Sequence, residues 1–120
     1  MSPEQFVDAI REVVRDAAVE GVINNLVSPS GRKVSTEERK RSTWYSSLGN
    51  DDRSYVNDII SSAVDEAVFG MLSVIDGARA IEEGGEKGEL VLMYKSDERE
   101  VLLKDNKGLF LHDMYNSLTQ

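Results

Sequence analysis

Apolar positions recur at spacings of three and four through the first two thirds of the chain, then switch to alternation. Phe6, Ile10, Val13, Val14, Ala17 and Ala18 form one such series, with Asp8, Glu12, Arg15, Asp16 and Glu20 on the other side. This predicts an amphipathic helix over residues 3–20. Ser2-Pro3-Glu4-Gln5 supplies its start: a capping hydroxyl, a proline at the first helical position, and a glutamine that closes the capping box. The helix either ends at Gly21 or continues to Leu26, and Ser28-Pro29-Ser30-Gly31 reads as a loop. A second capping box, Ser35-Thr36-Glu37-Glu38, opens a short helix through Trp44, Tyr45 and Leu48 that Gly49 closes. Asn50-Asp51-Asp52 then places carboxylates at the positive end of a helix dipole. The helix that follows, residues 51–76 with Gly77 as its cap, is the longest.

On a helical wheel at about 100° per residue, Val56, Ile60, Ala63, Ala67, Met71 and Val74 fall on one arc. Asp58, Ser62, Asp65 and Asp76 fall opposite. Phe69 and Leu72 break the pattern by sitting on the acidic side. The long helix is therefore amphipathic at its start and apolar nearly all round at its end, and such an end is covered on two sides. The cover is expected from a hairpin of the same chain or from a second subunit.

Past the charged, glycine-rich stretch 82–88, Leu90, Leu92 and Tyr94 alternate with Glu89, Val91, Met93 and Lys95. Ser96-Asp97-Glu98-Arg99 turns, and residues 100–104 return as the second strand of an antiparallel hairpin. A further turn is expected at Asp105-Asn106-Lys107-Gly108. Leu111, Met114, Tyr115 and Leu118 fit a short terminal helix. Three helices, a hairpin and one more helix make a mostly helical α+β fold, in one domain over residues 1–120. A lone hairpin is marginal, so the long central helix is its expected platform.

Composition narrows the function. Fourteen Lys and Arg against 22 Asp and Glu leave a net charge of −8, which argues against a nucleic-acid binder. The chain has no cysteine and one histidine, so disulfide frames, thiolate metal sites and any mechanism needing two imidazoles are excluded. No cofactor and no metal is expected. The N-terminus lacks the pattern of a signal peptide, and no stretch is long and apolar enough to span a bilayer. The expectation is a cytoplasmic protein.

His112-Asp113 resembles the paired residues of metal-dependent phosphohydrolases, but no further histidine exists to complete that site. The strand–turn–helix setting of a serine hydrolase is missing as well. Asp58, Asp65 and Asp76 share one helix face, yet residues 58 and 65 stand roughly 10 Å apart at 1.5 Å rise per residue. They cannot meet on one ion unaided, so their face is read as solvated or as a contact surface for a basic partner. Gly84-Gly85-Glu86-Lys87-Gly88 has the wrong spacing for a phosphate loop. Arg32, Lys33, Arg39, Lys40 and Arg41, offset by Glu37 and Glu38, form the one basic stretch, and Trp44 and Tyr45 follow it directly. That pattern suits core anchors beside a charged helix face, or a protein-contact patch rich in hot-spot residue types.

Phe69-Gly70 leading to Val74-Ile75-Asp76-Gly77, then Ala80-Ile81-Glu82, and Leu111-His112-Asp113 with Tyr115-Asn116, make the chain similar to a group of small bacterial proteins without an assigned activity. The resemblance runs from about Trp44 to Leu118. It implies a bacterial cytoplasmic protein and carries over no catalytic residue.

The leading expectation is a non-enzymatic protein that acts by binding another protein, for instance as an immunity-type inhibitor of a basic toxin. Arg39, Arg41, Trp44, Tyr45, Asp58, Asp65, Phe69 and Leu72 are its candidate contact residues. A second reading is a small-molecule binder or minor enzyme with a cleft between the long helix and the hairpin. Asp76, Arg79, His112, Asp113 and Tyr115 would then converge on a ligand. A third is a homodimeric scaffold with Phe69 and Leu72 at the seam.

Overall fold

Both predicted capping boxes form, and they set where two helices begin. The computed structural model describes residues 1–86, 88–104, 108 and 110–119. Ser2 accepts from the Gln5 amide while the Gln5 side chain accepts from the Ser2 amide, opening α1 (Pro3–Ile10). Ser35 and Glu38 repeat the arrangement at the start of α3 (Thr36–Ser47). Between them, a wide-turned π-helical segment (Arg11–Asp16) joins α1 to α2 (Ala17–Val27), so the first helix continues past Gly21 as a single rod. The long helix α4 spans Asn50–Ile75, with Asp51 and Asp52 in its first turn.

The chain leaves α4 through Gly77, whose φ of 78° is left-handed and open only to a residue without a Cβ at little cost. The amides of Ala78 and Arg79 both return to the Ser73 carbonyl, at 2.9 and 3.2 Å. Strands β1 (Met93–Lys95) and β2 (Glu100–Leu102) pair antiparallel with Tyr94 opposite Val101. Leu103 adds one more bond to the Leu92 carbonyl. Helix α5 (Leu111–Thr119) closes the described chain. The fold is thus mostly helical α+β, as the pattern predicts. The expected turn at Asp105-Asn106-Lys107 lies outside the described residues.

Val7, Leu72, Leu111 and Tyr115 form the core, with Phe6, Val68, Phe69, Ile75, Leu92 and Met114 packed on it. It therefore joins α1, the second half of α4 and α5. Of the hairpin, Leu92 reaches this core, while Val91, Tyr94 and Leu102 stay exposed. The strands do not lie down on α4 as the platform argument expects.

Two predicted faces are rotated. Val13, Val14 and Ala17 are exposed, whereas Val7 and Val19 are buried. For Val19 the cause is the π-helical segment, which takes more residues per turn and so shifts the phase of everything beyond it; Val7, ahead of that segment, is buried in the core it shares with Leu72, Leu111 and Tyr115. In α4 the inward side of the second half carries Asp65, Phe69, Leu72 and Asp76, and the expected core positions Ala63, Ala67 and Met71 face outward. Leu72 is 3% exposed and Met71 61%. The carboxylates on the inward side are accepted there because each finds donors, as described next.

Candidate functional site

Asp65 is the hub of three elements. Arg15, carried in by the π-helical segment, donates to both of its oxygens, from Nε at 2.8 Å and Nη2 at 3.2 Å. Tyr115 of α5 donates its hydroxyl to Oδ1 at 2.7 Å. A bidentate guanidinium is the strongest common partner of a carboxylate. It holds the Asp65 carboxyl below the usual carboxylate range, helped by the Tyr115 hydroxyl and opposed by partial burial. Burial, then the bond to Asp65, pushes the Tyr115 hydroxyl up.

One turn earlier on α5 stands a second clasp. Asp76 Oδ2 accepts from the His112 backbone amide at 2.8 Å and lies 2.6 Å from His112 Nδ1. It caps the start of α5 in the manner of a helix N-terminal carboxylate. Phe110 stacks on the imidazole and Phe69 meets it edge-on. Asp113 approaches its other nitrogen at 3.4 Å and is itself exposed. The first clasp borders a cavity lined by Asp65, Phe69 and Tyr115, and His112, Asp113 and Asp76 are not part of that lining. The cleft between the α4 end and the hairpin does exist, but of the five ligand candidates only Arg79 lines it.

The other predicted contact residues divide. Tyr45 is buried and donates to Asn57 Oδ1 at 2.9 Å, anchoring α3 to α4. Trp44 is half exposed and with Arg41 borders a shallow groove floored by Val22, Val56 and Ile60. Arg39 is exposed on α3. Phe69 and Leu72 lie in the chain's own core, and Asp65 is spoken for by Arg15 and Tyr115. Asp58 is exposed.

Around Asp58 the structure brings together a surface the wheel argument misses. Tyr55, Asp58, Ile59, Ser62, Ala63 and Glu66 line one groove along the outward side of α4. Tyr55 is 66% and Ile59 68% exposed. Ala67 and Met71 continue the same ridge toward the C-terminal end of the helix. The apolar residues succeed one another every four positions, so they form one continuous ridge. Asp58 and Glu66 edge it, with Asp51 and Asp52 exposed one turn before Tyr55.

The whole molecule is open in proportion. Its radius of gyration is 18.4 Å, against about 14 Å for a compact chain of this length. Its accessible surface is 8733 Å², about 2,200 Å² above the value expected for a folded monomer of its mass. That excess is larger than the roughly 800 Å² each partner contributes to a standard interface.

Among the described residues, no group of three potential metal ligands converges and no helix is long and apolar enough to cross a membrane. No protein family, curated protein or solved structure matches the chain. The reading of function therefore rests on its own residues.

Proposed function

We propose that the chain acts by binding another protein, and that the outward ridge of α4 is the contact surface. The observation that supports this is the ridge itself: Tyr55, Ile59, Ala63, Ala67 and Met71 uncovered in one line, edged by carboxylates. Apolar anchors within a charged rim are the anatomy of a protein interface. The rim is acidic and the chain carries −8, so the partner that fits is basic, presenting an amphipathic helix with apolar residues at three- and four-residue spacing. The acidic rim would speed encounter and the ridge would hold the complex. An inhibitor of a basic toxin or nuclease, working in the bacterial cytoplasm, is one concrete form of this reading.

The test is a paired capture from lysate of the source organism, with wild-type protein and Ile59→Asp side by side. A stoichiometric basic partner retained by the wild type and lost by the variant is the expected result. A partner that both capture equally, or that Trp44→Ala loses instead, moves the contact off α4. Dimers of the isolated chain that Ile59→Asp dissolves would make the partner a second copy.

A further inference from the structure

We infer that the cleft between the end of α4 and the hairpin is a binding site for a small organic anion, with Arg79 as the residue that pairs with its carboxylate. This site is separate from the α4 ridge and does not depend on it. The cleft has a volume of about 230 Å³, below the roughly 300–1,000 Å³ of drug-sized sites, so it suits a ligand on the order of ten non-hydrogen atoms. Val74, Ala80, Ile81 and Leu90 give it apolar walls.

The charges lining it are not equivalent. Glu82 is turned onto the backbone, accepting from the Gly88 amide at 3.1 Å. Glu89 lies 3.4 Å from the Lys104 ammonium. Lys104, 5% exposed at its side chain, also donates to the Leu90 carbonyl at 2.9 Å. An ammonium has three donors, and among the described residues Lys104 uses two of them. The Arg79 side chain, with five donors, makes no hydrogen bond and no ion pair with any described residue, and Arg79 is among the residues that line the cleft. Its position is built, not incidental. The left-handed turn at Gly77 brings the chain back over α4, and the guanidinium lies against Gly70, where a Cβ would stand 2.7 Å from Nη1. Among the described residues the lining carboxylates are thus engaged, while a guanidinium and one ammonium proton have no partner beside an apolar wall. A carboxylate with a short apolar body meets all three conditions, and the planar guanidinium takes it in two parallel bonds.

The probes are hexanoate, hexanol and hexylamine, titrated separately into the ¹⁵N-labelled full chain while amide resonances are followed. Hexanoate is expected to shift Gly77, Arg79, Gly88 and Leu90 with a Kd on the order of 1 mM, and the alcohol and amine to leave them in place. Arg79→Gln, at an exposed position, should keep the native spectrum and weaken hexanoate about tenfold. Gly70→Ala keeps the charge but displaces the guanidinium, and should weaken it by a smaller factor. Absence of shifts with hexanoate overturns the assignment. Equal binding of hexanol or hexylamine overturns the charge selection, and an Arg79→Gln variant that binds as tightly as wild type removes Arg79 from the site.

Discussion

Asp58 and Asp65 stand two turns apart on one helix and carry the same carboxylate, yet one faces water and the other ties three elements together. The difference is not in α4 but in what approaches it. Arg15 and Tyr115 reach Asp65 from chain positions fifty residues away on either side. Asp58 makes no hydrogen bond or ion pair with any described residue and instead borders the uncovered ridge. The inward side of the second half of α4 is polar where it is clasped and apolar where it is packed. The outward side is apolar and carries nothing. A helix wheel ranks faces by hydrophobicity alone, and here that ranking points outward, because inward carboxylates that find donors, Asp65 on both oxygens and Asp76 on one, are acceptable beside a core.

Neighbouring residues on α4 give the sharpest way to break this contrast. Leu72→Ala empties a core position and should cost about 2–5 kcal/mol, while Met71→Ala beside it should change stability by less than about 0.5 kcal/mol. Chemical denaturation of the two variants reads this directly, and equal losses would mean that the outward side is covered in solution. Next in size, Asp65→Asn removes the charge Arg15 and Tyr115 are bonded to and should cost about 1–3 kcal/mol.

The same clasp predicts a pH profile. The folded Asp65 carboxyl is held low, first by Arg15, so its contribution is complete above the unfolded value near 4 and fades as pH falls through the folded one. The Tyr115 hydroxyl is pushed up, first by burial. Its contribution is complete below about 10 and is lost as pH rises through the folded value. Thermal melts across pH should show both limbs, and Asp65→Asn should remove its own acid limb while only reducing the alkaline one, whose first cause is burial. The smallest effect is expected from Asp58→Lys with Glu66→Lys. Folding stability should stay within about 0.5 kcal/mol, whereas association with a basic partner should slow and lose its salt dependence. Unchanged association kinetics would remove the acidic rim from the binding reading.

What could be read in advance was local. Ser2 with Gln5, Ser35 with Glu38, and Gly77 after α4 act within three or four residues, and each stands where the spacing puts it. The hairpin follows from alternation and its turn. The rotation of α4 was not legible, because its second half is apolar nearly all round and the choice of side belongs to Arg15, His112 and Tyr115. Val19 was missed because nothing in the spacing announces a π-helical turn, and Val7 because its cover, Leu111 and Tyr115, comes from a distant part of the chain. Arg79 was legible as a charged residue near the end of α4. That its side chain meets no partner among the described residues depends on where Glu82, Glu89 and Lys104 direct their own bonds, which no spacing encodes.

The core joins Val7 to Leu111 and Tyr115, and this has a consequence for how the molecule is made. Synthesis proceeds from the N-terminus, so at about 5–20 residues per second roughly 5–20 s separate the appearance of Val7 from that of Leu111. Over the last third of that interval, once α4 is complete at Ile75, α1 and α4 are both present without the helix that closes over them. Arg15 and Asp65 can already pair, and so hold the two helices in register as a scaffold. Leu72 and Val7 stay open to whatever else is apolar nearby until α5 arrives. Helix α5, made after α1 and α4, therefore works as a closing bolt, and its two clasps, one turn apart, decide when this core stops being sticky.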